Sequence, residues 1–344
     1  MASRLYNRFK DRYLLWKYIH PFNSRNKNRI STAENTICLF TFPRSGSTWI
    51  SEILLNIPNS CLFDEPFQRD RIKGIEYMPN NTAQKFNEIK ELGFYFFQPI
   101  PKDAEWHEAK SMIAKLIQGK FVSLGLYDDY GLWRLKKATT FIIKMNHASL
   151  MASWMQSNFE YSSLVLLRNP LAILASSIRH EWISKMNVNR NTYTPQFSFN
   201  VVFLKYQETY KRFVKSKEDL LIFLWAINVK EGILKMDPAK SLFVFYENLL
   251  VNFESELVRI FNYLKHPFPE EILQQRFIPS KSSKKYALEN IQSKNQLNQW
   301  KTVLTKDQIE SANKILTAFE IDFYKNDLPD LSIFNRSFDI SSII

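Results

Sequence analysis

Four short apolar segments, each rich in β-branched and aromatic residues, predict buried strands. These segments are Thr36 to Thr41, Thr140 to Lys144, Ser162 to Leu167 and Ser241 to Tyr246. Apolar residues at helical spacing stand between and after them, over 171–178, 202–236, 250–264 and 306–320. Strands that alternate with helices favour an α/β fold, in which a mostly parallel sheet is flanked by helices on both faces.

The N-terminal segment carries a helical pattern of a different kind. Four apolar residues follow one another at helical spacing and would form one stripe: Leu5, Phe9, Tyr13 and Trp16. Arginines occupy the other faces of this helix. Such a stripe either packs on the chain's own domain, which is the favoured interpretation, or lies on an anionic membrane surface. We therefore expect a basic arm over 1–34, with a peripheral membrane contact of residues 1–20 as the alternative.

The remainder of the chain is expected to form one domain over 35–344. The chain has 344 residues, of which 45% are hydrophobic, and this is enough for a large buried core. No internal repeat and no low-complexity tract divides the sequence. The stretch at about 66–135 is weakly periodic and interrupted by prolines, which predicts an insertion over the sheet edge that serves as a lid or acceptor-binding region.

The composition excludes several classes of site. Only 7 residues are glycine, and the sequence has neither a G-x-G-x-x-G dinucleotide fingerprint nor a G-x-x-x-x-G-K loop. The two cysteines, Cys38 and Cys61, are too few for a disulfide framework or a four-cysteine metal site. Four of the five histidines, all but His147, stand alone without ligand spacing. We therefore expect no metal cofactor.

The charge distribution bears on partners and location. The formal net charge is +12, and the first 30 residues hold eight Arg and Lys residues against Asp11 alone. A nucleic-acid-binding protein spreads its basic residues over a face, so this concentration argues against a nucleic-acid partner. No run of 18 apolar residues is present, and charges stand where a signal peptide has its apolar run. These features favour a cytoplasmic protein.

The segment after the first strand has the build of an anion-binding turn. Residues 43–49 join a strand to a helix through small residues, which presents backbone N–H groups and a helix N-terminus to a ligand. Gly46 permits close approach of the backbone, while Ser47 and Thr48 add hydroxyl donors. Arg44 offers paired N–H donors to a phosphate or sulfate oxygen. The Gly-Lys pair of nucleoside triphosphatases is missing, so the turn is a phosphate-binding turn of another kind.

This turn resembles the 5′-phosphosulfate-binding loop of sulfotransferases, usually written P-[KR]-S-G-[TS]-[TS]. The resemblance implies a P-loop-type α/β fold and the sulfuryl donor 3′-phosphoadenosine 5′-phosphosulfate (PAPS), which becomes 3′-phosphoadenosine 5′-phosphate (PAP). It also implies that the donor is bound by consecutive residues of the turn: Arg44, Ser45, Gly46, Ser47, Thr48 and Trp49.

A second segment is similar to the 3′-phosphate site of the same family. Arg168 ends a predicted strand, and Ser176 follows eight residues later. Asn169 is a good N-cap and Pro170 a good first helical residue, so a helix starting there would let Arg168 and Ser176 reach one phosphate.

Two later segments also fit the family. Tyr246, in Phe-Tyr-Glu-Asn-Leu, resembles the tyrosine that contacts the adenine, and Lys294 resembles a 3′-phosphate ligand of the closing loop in cytosolic sulfotransferases. Asn295 and Asn298 stand where that closing loop has glycine. We therefore expect a closing loop of a different shape.

The resemblance leaves two candidates for the general base. Glu65, in Asp-Glu-Pro, is similar to the catalytic glutamate of carbohydrate sulfotransferases, whereas His147 lies close to the Lys-x-His place of the cytosolic enzymes. Counting back from Arg168 puts Lys144 in the lysine place and Asn146 in the histidine place, so Glu65 is favoured over His147. Arg44 would stabilise the leaving phosphate and Lys144 the transferring group.

We therefore expect a PAPS-dependent sulfotransferase that acts on a hydroxyl of a carbohydrate or glycoconjugate. A lipophilic or phenolic small molecule is the alternative acceptor. A P-loop kinase that uses ATP and magnesium and a non-catalytic scaffold with the same fold are two further alternatives. The sequence does not predict an oligomeric state.

Overall fold

The computed structural model describes residues 9–10, 12–67, 97–120, 131–184, 186, 199–278, 280–281, 293–324 and 327–338. Within these residues, five strands form one parallel sheet. In chain order the strands are β1 (Thr36–Thr41), β2 (Ser60–Asp64), β3 (Thr140–Met145), β4 (Ser162–Leu167) and β5 (Ser241–Phe245). Their order across the sheet is β2-β3-β1-β4-β5, so β1 lies at the centre.

Helices connect the strands. The described α-helices of the N-terminal half are α1 (His20–Arg25), α2 (Ser47–Leu54), α3 (His107–Ile117), α4 (Ala152–Asn158) and α5 (Pro170–Arg179). Those that follow are α6 (Phe199–Lys205), α7 (Gln207–Phe213), α8 (Lys217–Ile227), α9 (Tyr246–Val251), α10 (Phe253–Tyr263), α11 (Ser293–Asn298), α12 (Lys306–Ala318) and α13 (Leu331–Arg336). Short π- and 3₁₀-helical turns include Leu15–Ile19 and Leu132–Lys136.

The two faces of the sheet bury two separate hydrophobic clusters. Along β1, Cys38 and Phe40 belong to one cluster, and Ile37 and Leu39 belong to the other, because successive side chains point to opposite faces. Helices α3, α5, α8 and α12 cover the first face, and α2 and α10 cover the second. This arrangement confirms the predicted α/β fold with helices on both faces.

The structure adds one strand and divides one predicted helix. β2 was not expected, although its apolar centre, Cys61 to Phe63, is buried. The helical stretch predicted over 202–236 is three helices, α6 to α8, followed by shorter turns. Helix α8 starts at a capping box in which Ser216 and Asp219 exchange side-chain to backbone hydrogen bonds.

The expected packing of the N-terminal stripe is wrong for its described members. Phe9, Tyr13 and Trp16 are 67%, 51% and 71% exposed. The opposite side of the helix, with Leu15 and Ile19, is buried instead. Leu5 lies outside the described residues.

Three other expectations stand as follows. Much of the predicted insertion at about 66–135 lies outside the described residues, and the division into an arm over 1–34 and one domain over 35–344 stays a prediction. Both cysteines are buried and unbonded, and burial raises the pKa of each thiol. No helix in the described part of the chain is long and apolar enough to cross a bilayer.

Candidate active site

The strands of the sheet all end next to residues that can carry chemistry. Shortly after β1, β2, β3, β4 and β5 come Arg44, Glu65, His147, Arg168 and Tyr246, respectively. Because the strands are parallel, these residues lie along one edge of the sheet. The carboxyl edge is where ligands bind in α/β proteins of this kind.

The turn after β1 is held in an unusual backbone conformation. Arg44 and Gly46 have φ angles of +68° and +92°, and α2 begins directly afterwards. A left-handed conformation at a residue such as Arg44 costs about 1–3 kcal/mol and needs support from its surroundings. Arg168 provides it, since its Nη1 donates a hydrogen bond to the Arg44 carbonyl oxygen at 2.9 Å. The turn therefore leads directly into the N-terminus of α2, which is the geometry expected of an anion-binding turn, and its role in binding phosphate stays a prediction.

Gly46 is required by the ring of Tyr246. A Cβ atom at residue 46 would lie 2.6 Å from Cδ2 and Cε2 of that ring. Two other site residues also contact this ring: the Arg168 guanidinium lies 4.2 Å from its centre, and the Trp49 ring lies 5.7 Å away. Tyr246 therefore joins the turn after β1 to the turn after β4.

Arg44, Arg168 and Ser176 lie together. Arg44 Nε donates to Ser176 Oγ at 3.3 Å, which adds to the contact between Arg168 and the Arg44 backbone. The local helix start is the one the sequence indicates: Asn169 Oδ1 accepts a hydrogen bond from the Leu171 N–H at 2.9 Å, and α5 begins at Pro170. The two motifs that resemble the 5′- and 3′-phosphate sites are thus adjacent.

Two buried polar atoms of this cluster have no hydrogen-bond partner among the residues that the structure describes. They are Ser45 Oγ and Arg168 Nε. A buried polar atom left unpaired costs about 1–3 kcal/mol. Both atoms can donate a hydrogen bond and lack an acceptor, so the cluster fits an anionic ligand.

The end of α5 adds one cation, Arg179, and one histidine that is neutral near pH 7, His180, to the same region. Arg179 and His180 follow Ser176 by about one helical turn. Burial, then the neighbouring Arg44, Arg179 and Arg168, lower the pKa of His180 to about 4. Burial, followed by Arg168, also lowers the pKa of Arg179. Burial is the larger cause of both shifts, and the neighbouring arginines add to it, so an anion bound here would offset part of the lowering.

A buried glutamate supports the turn after β4. Glu247 Oε1 accepts a hydrogen bond from the Asn169 N–H at 2.9 Å, and Glu247 Oε2 accepts one from the Tyr324 hydroxyl at 3.0 Å. The side chain is 3% exposed, and burial raises its pKa. Glu247 thus fixes the N-cap residue beside Arg168.

A second cluster forms where β2 and β3 end side by side. Glu65 Oε1 accepts a hydrogen bond from Asn146 Nδ2 at 2.6 Å and lies 3.3 Å from Lys144 Nζ. Glu65 Oε2 lies 3.6 Å from His147 Nδ1. The two candidate bases, Glu65 and His147, are therefore neighbours, and Lys144 and Asn146 both contact Glu65.

Lys144 has a closer partner than Glu65. Its Nζ lies 2.6 Å from Oδ1 of Asp64, and both side chains are 3% exposed. Glu65 itself has a φ of +53°, a conformation uncommon for a residue with a side chain. Its backbone N–H donates to the Lys144 carbonyl oxygen at 3.0 Å. The ion pair and this hydrogen bond hold Glu65 in place at the end of β2.

An aromatic wall borders this second cluster. The Phe97 ring stacks on Phe42 at 5.6 Å and lies 5.1 Å from the His147 ring. The Phe97 N–H also donates to the His147 carbonyl oxygen at 2.9 Å. Phe97 belongs to the predicted insertion, so part of that insertion lies next to His147, the alternative base.

One predicted ligand cannot be placed. The Lys294 side chain lies outside the described residues. Its helix, α11, does contact the site, because the Tyr246 hydroxyl donates to Gln296 Oε1 at 3.3 Å. In the described part of the chain, no group of three His, Cys, Asp or Glu side chains is arranged to hold a metal ion.

Sequence reasoning gives no role to several residues that the structure places in or beside these clusters, among them Asp64, Phe97, Arg179, His180 and Glu247. Asp64 and Glu247 each stand next to a residue that it singled out, but their contacts come from distant segments. His180 shows no ligand spacing in the sequence. Its proximity to Ser176 along α5 is the one signal that could have identified it.

Comparison with known proteins identifies the family. A family model described as a sulfotransferase domain matches residues 34–321. No curated protein sequence gives a significant match.

Several solved structures are similar to this chain. The sulfotransferase domain from the curacin biosynthetic pathway is 16% identical, with 87% of this chain and 100% of that chain covered and a TM-score of 0.44. A mouse sulfotransferase complexed with PAP is 13% identical, with coverage of 90% and 91% and a TM-score of 0.43. A retinol dehydratase in a complex with retinol and PAP is 15% identical, with coverage of 90% and 88% and a TM-score of 0.42.

The family match begins just before β1 and ends after α12, so it contains the whole sheet and both side-chain clusters. The chain therefore belongs to the sulfotransferase family and is an enzyme that transfers sulfuryl groups.

Proposed function

We propose that the sulfuryl donor is PAPS and that it binds across the turns after β1 and β4. The observation that carries this proposal is the meeting of Arg44, Arg168 and Ser176 beside the unpartnered Ser45 hydroxyl. The turn at 44–49 would hold the 5′-phosphosulfate. Arg168 and Ser176 would hold the 3′-phosphate.

The remaining predicted ligands have roles that follow from their positions. Ser47 and Thr48 open α2, where their backbone N–H groups and hydroxyls would bind the 5′-phosphosulfate. Tyr246 and Trp49 form an aromatic pair that would contact the adenine. Lys294 is retained as a proposed ligand of the 3′-phosphate on the strength of the sequence alone.

Glu65 is the proposed general base. In the reaction, the acceptor oxygen forms a bond to sulfur while the bond from sulfur to the bridging oxygen of the 5′-phosphate breaks. The acceptor proton passes to Glu65, and PAP leaves with the electron pair of the broken bond. Arg44 would stabilise the charge that develops on the leaving phosphate.

Lys144, Asn146 and His147 are proposed to support Glu65. Asn146 and Lys144 contact Oε1 and fix the orientation of the carboxylate, while His147 faces Oε2. Lys144 is engaged by two carboxylates, which supports a positioning role, and the stabilising role expected from sequence stays a prediction. His147 stays the alternative base.

For the acceptor, we propose a hydroxyl of a carbohydrate or glycoconjugate. The support is the glutamate after β2. The stacked rings of Phe97 and Phe42, which are 9% and 5% exposed, give the cluster an apolar border, with Phe97 5.1 Å from the His147 ring. The same aromatic pair favours the second candidate, a lipophilic or phenolic small molecule. A cytoplasmic location stays a prediction from the sequence.

Ligand-induced thermal stabilisation tests the donor. PAP at 100 times its dissociation constant should stabilise the protein by about 2.7 kcal/mol, whereas ADP with magnesium should have no effect. Arg168→Ala should abolish the shift, and Arg212→Ala, at an exposed position on α7, should retain it. Stabilisation by ADP with magnesium alone would support the kinase alternative and overturn the proposal. Transfer of radiolabelled sulfate to a panel of glycans and phenols then distinguishes the two acceptor classes.

A further inference from the structure

A second feature of the chain lies away from the carboxyl edge of the sheet. Phe9, Tyr13 and Trp16 are all more than half exposed, and they share one side of the N-terminal helix. Exposed aromatic residues are ordinary when single, but three on one helix face bring large apolar side chains to the same side. This face has no packing partner in the described part of the chain.

The helix that carries this face is anchored on its other side. Leu15, Ile19 and Phe22 are at most 3% exposed and belong to the larger hydrophobic cluster. The Phe22 ring contacts the Phe141 ring of β3 at 5.4 Å. Arg25 donates two hydrogen bonds, to the carbonyl oxygens of Leu135 and Lys136. The domain therefore holds the helix so that its aromatic side faces outward.

A neighbouring segment adds a fourth exposed aromatic residue. The turn Leu132–Lys136 packs against Leu15–Ile19, and its Trp133 is 63% exposed. The two segments also meet through Lys136, whose Nζ lies 5.5 Å from the centre of the Tyr18 ring. We define the aromatic–basic surface by Phe9, Tyr13, Trp16 and Trp133.

Basic side chains flank the aromatic ones. At about 100° per residue, Arg12 lies on one side of the Phe9, Tyr13 and Trp16 face, and Lys10 and Lys17 lie on the other. Lys10 and Arg12 are exposed, and Lys17 donates a hydrogen bond to the Tyr13 hydroxyl at 2.8 Å. The first 30 residues hold eight basic residues and one acidic residue. The surface thus combines aromatic side chains with positive charge.

The combination of exposed aromatic side chains and positive charge favours an anionic lipid surface over a second copy of the chain or a nucleic acid. Trp and Tyr are the residues that settle at the boundary between water and lipid, and cations beside them pair with anionic headgroups. A second copy of the chain would bring the same positive charges together, which opposes association through this face. A nucleic acid would be bound mainly by the cations and would not require four large exposed aromatics on a folded helix and turn.

We propose that the aromatic–basic surface docks the enzyme onto a bilayer that contains anionic phospholipids. The aromatic side chains enter the interfacial region, and the flanking Lys and Arg residues contact the headgroups. The contact is peripheral and independent of the proposed donor and acceptor.

Co-sedimentation of the full chain with vesicles tests the proposal. Binding to vesicles of 70% phosphatidylcholine and 30% phosphatidylserine should exceed binding to pure phosphatidylcholine and should weaken as salt is raised. Trp16→Ala with Trp133→Ala should reduce the partition coefficient by at least about tenfold. Lys10→Gln with Lys17→Gln should reduce it by about fivefold for each charge removed.

Controls separate this interpretation from the others. Leu204→Ala removes an apolar side chain that is 62% exposed on α6 and should leave vesicle binding unchanged. Thermal melting of each variant checks that it is folded. Equal binding of the double tryptophan variant and the unaltered chain would overturn the proposal. So would a dimer in solution that the tryptophan substitutions dissociate, or absence of vesicle binding together with retention on single-stranded DNA.

Discussion

Oε2 of Glu65 lies 3.6 Å from Nδ1 of His147. The glutamate follows β2 and the histidine follows β3, and the two strands are neighbours in the sheet. Sequence motifs offer these two residues as alternatives for one role, yet the fold places both at one point. Their roles are then separable by experiment, because each can be changed while the other stays in place.

Glu65→Gln is expected to lower kcat by about 10²–10⁴, with little change in the affinity for PAP. Glutamine keeps an oxygen that can accept the Asn146 hydrogen bond but cannot take up a proton. His147→Asn should cost much less if His147 only contacts the carboxylate. Single-turnover sulfate transfer and PAP titration measure the two effects, with His107→Asn on α3 as a control. A larger loss for His147→Asn than for Glu65→Gln would make His147 the base.

The Asp64 and Lys144 pair gives a prediction about stability. The atoms lie 2.6 Å apart, and both side chains are 3% exposed. Lys144→Met should lower the free energy of unfolding by about 3–5 kcal/mol, because it leaves the buried Asp64 carboxylate without its closest cation. Asp64→Asn combined with Lys144→Met should recover part of the loss.

Urea denaturation measures these changes, and an exposed pair provides the matched control. Lys211 and Glu208 lie 2.9 Å apart on α7, with side chains 59% and 85% exposed. Lys211→Met should change the free energy of unfolding by about 0–1 kcal/mol. Equal effects of Lys144→Met and Lys211→Met would contradict the importance of the buried pair.

The elements of the fold that the sequence predicts are those encoded by a few neighbouring residues. β1, β3, β4 and β5 are apolar runs, and the helix after Arg168 starts with a capping asparagine and a proline; both signals are contained in a few residues. The packing of the N-terminal helix could not be predicted in this way, because two sides of the helix carry apolar residues and either could pack on the domain. The stripe that packs includes Phe22, and its partner Phe141 comes from a distant segment. No local pattern shows which stripe meets that ring.

The candidate site likewise has one part that a few consecutive residues encode and another part that depends on strand pairing. The turn after β1 could be predicted because its residues are consecutive, and its role in binding phosphate stays a prediction. The environment of Glu65 could not be predicted from consecutive residues, because Lys144, Asn146 and His147 contact Glu65 only through the pairing of β2 with β3. Family resemblance named most of these residues, but the strand order is what brings them into contact.

Gly46→Ala is expected to weaken PAP binding by at least about tenfold. The φ of +92° disfavours a side chain by about 1–2 kcal/mol, and the new Cβ would lie 2.6 Å from two atoms of the Tyr246 ring. Either the turn or the ring must then move. Isothermal titration measures the affinity. Gly131→Ala is the control, because Gly131 has a φ of +93° and a similarly close ring, Trp133, outside the candidate active site. Unchanged PAP affinity in Gly46→Ala would remove the turn from the donor site.

His180 is expected to link donor binding to pH. Its pKa is about 4 in the folded protein and about 6.5 when unfolded, so only the unfolded chain gains this proton as the pH falls from 6.5 to 4. The contribution of His180 to stability is therefore present above pH 6.5 and is lost toward pH 4. His180→Gln should make the melting temperature fall less over this range.

PAP bound among Arg44, Arg168 and Arg179 should raise the pKa of His180, so that binding at pH 5.5 takes up a proton. This uptake is measured by titration calorimetry in buffers of different ionisation enthalpy. His180→Gln should reduce this uptake, whereas His266→Gln, at a histidine whose pKa is also lowered by burial, should not. Equal proton uptake by all three proteins would place His180 outside the field of the bound nucleotide.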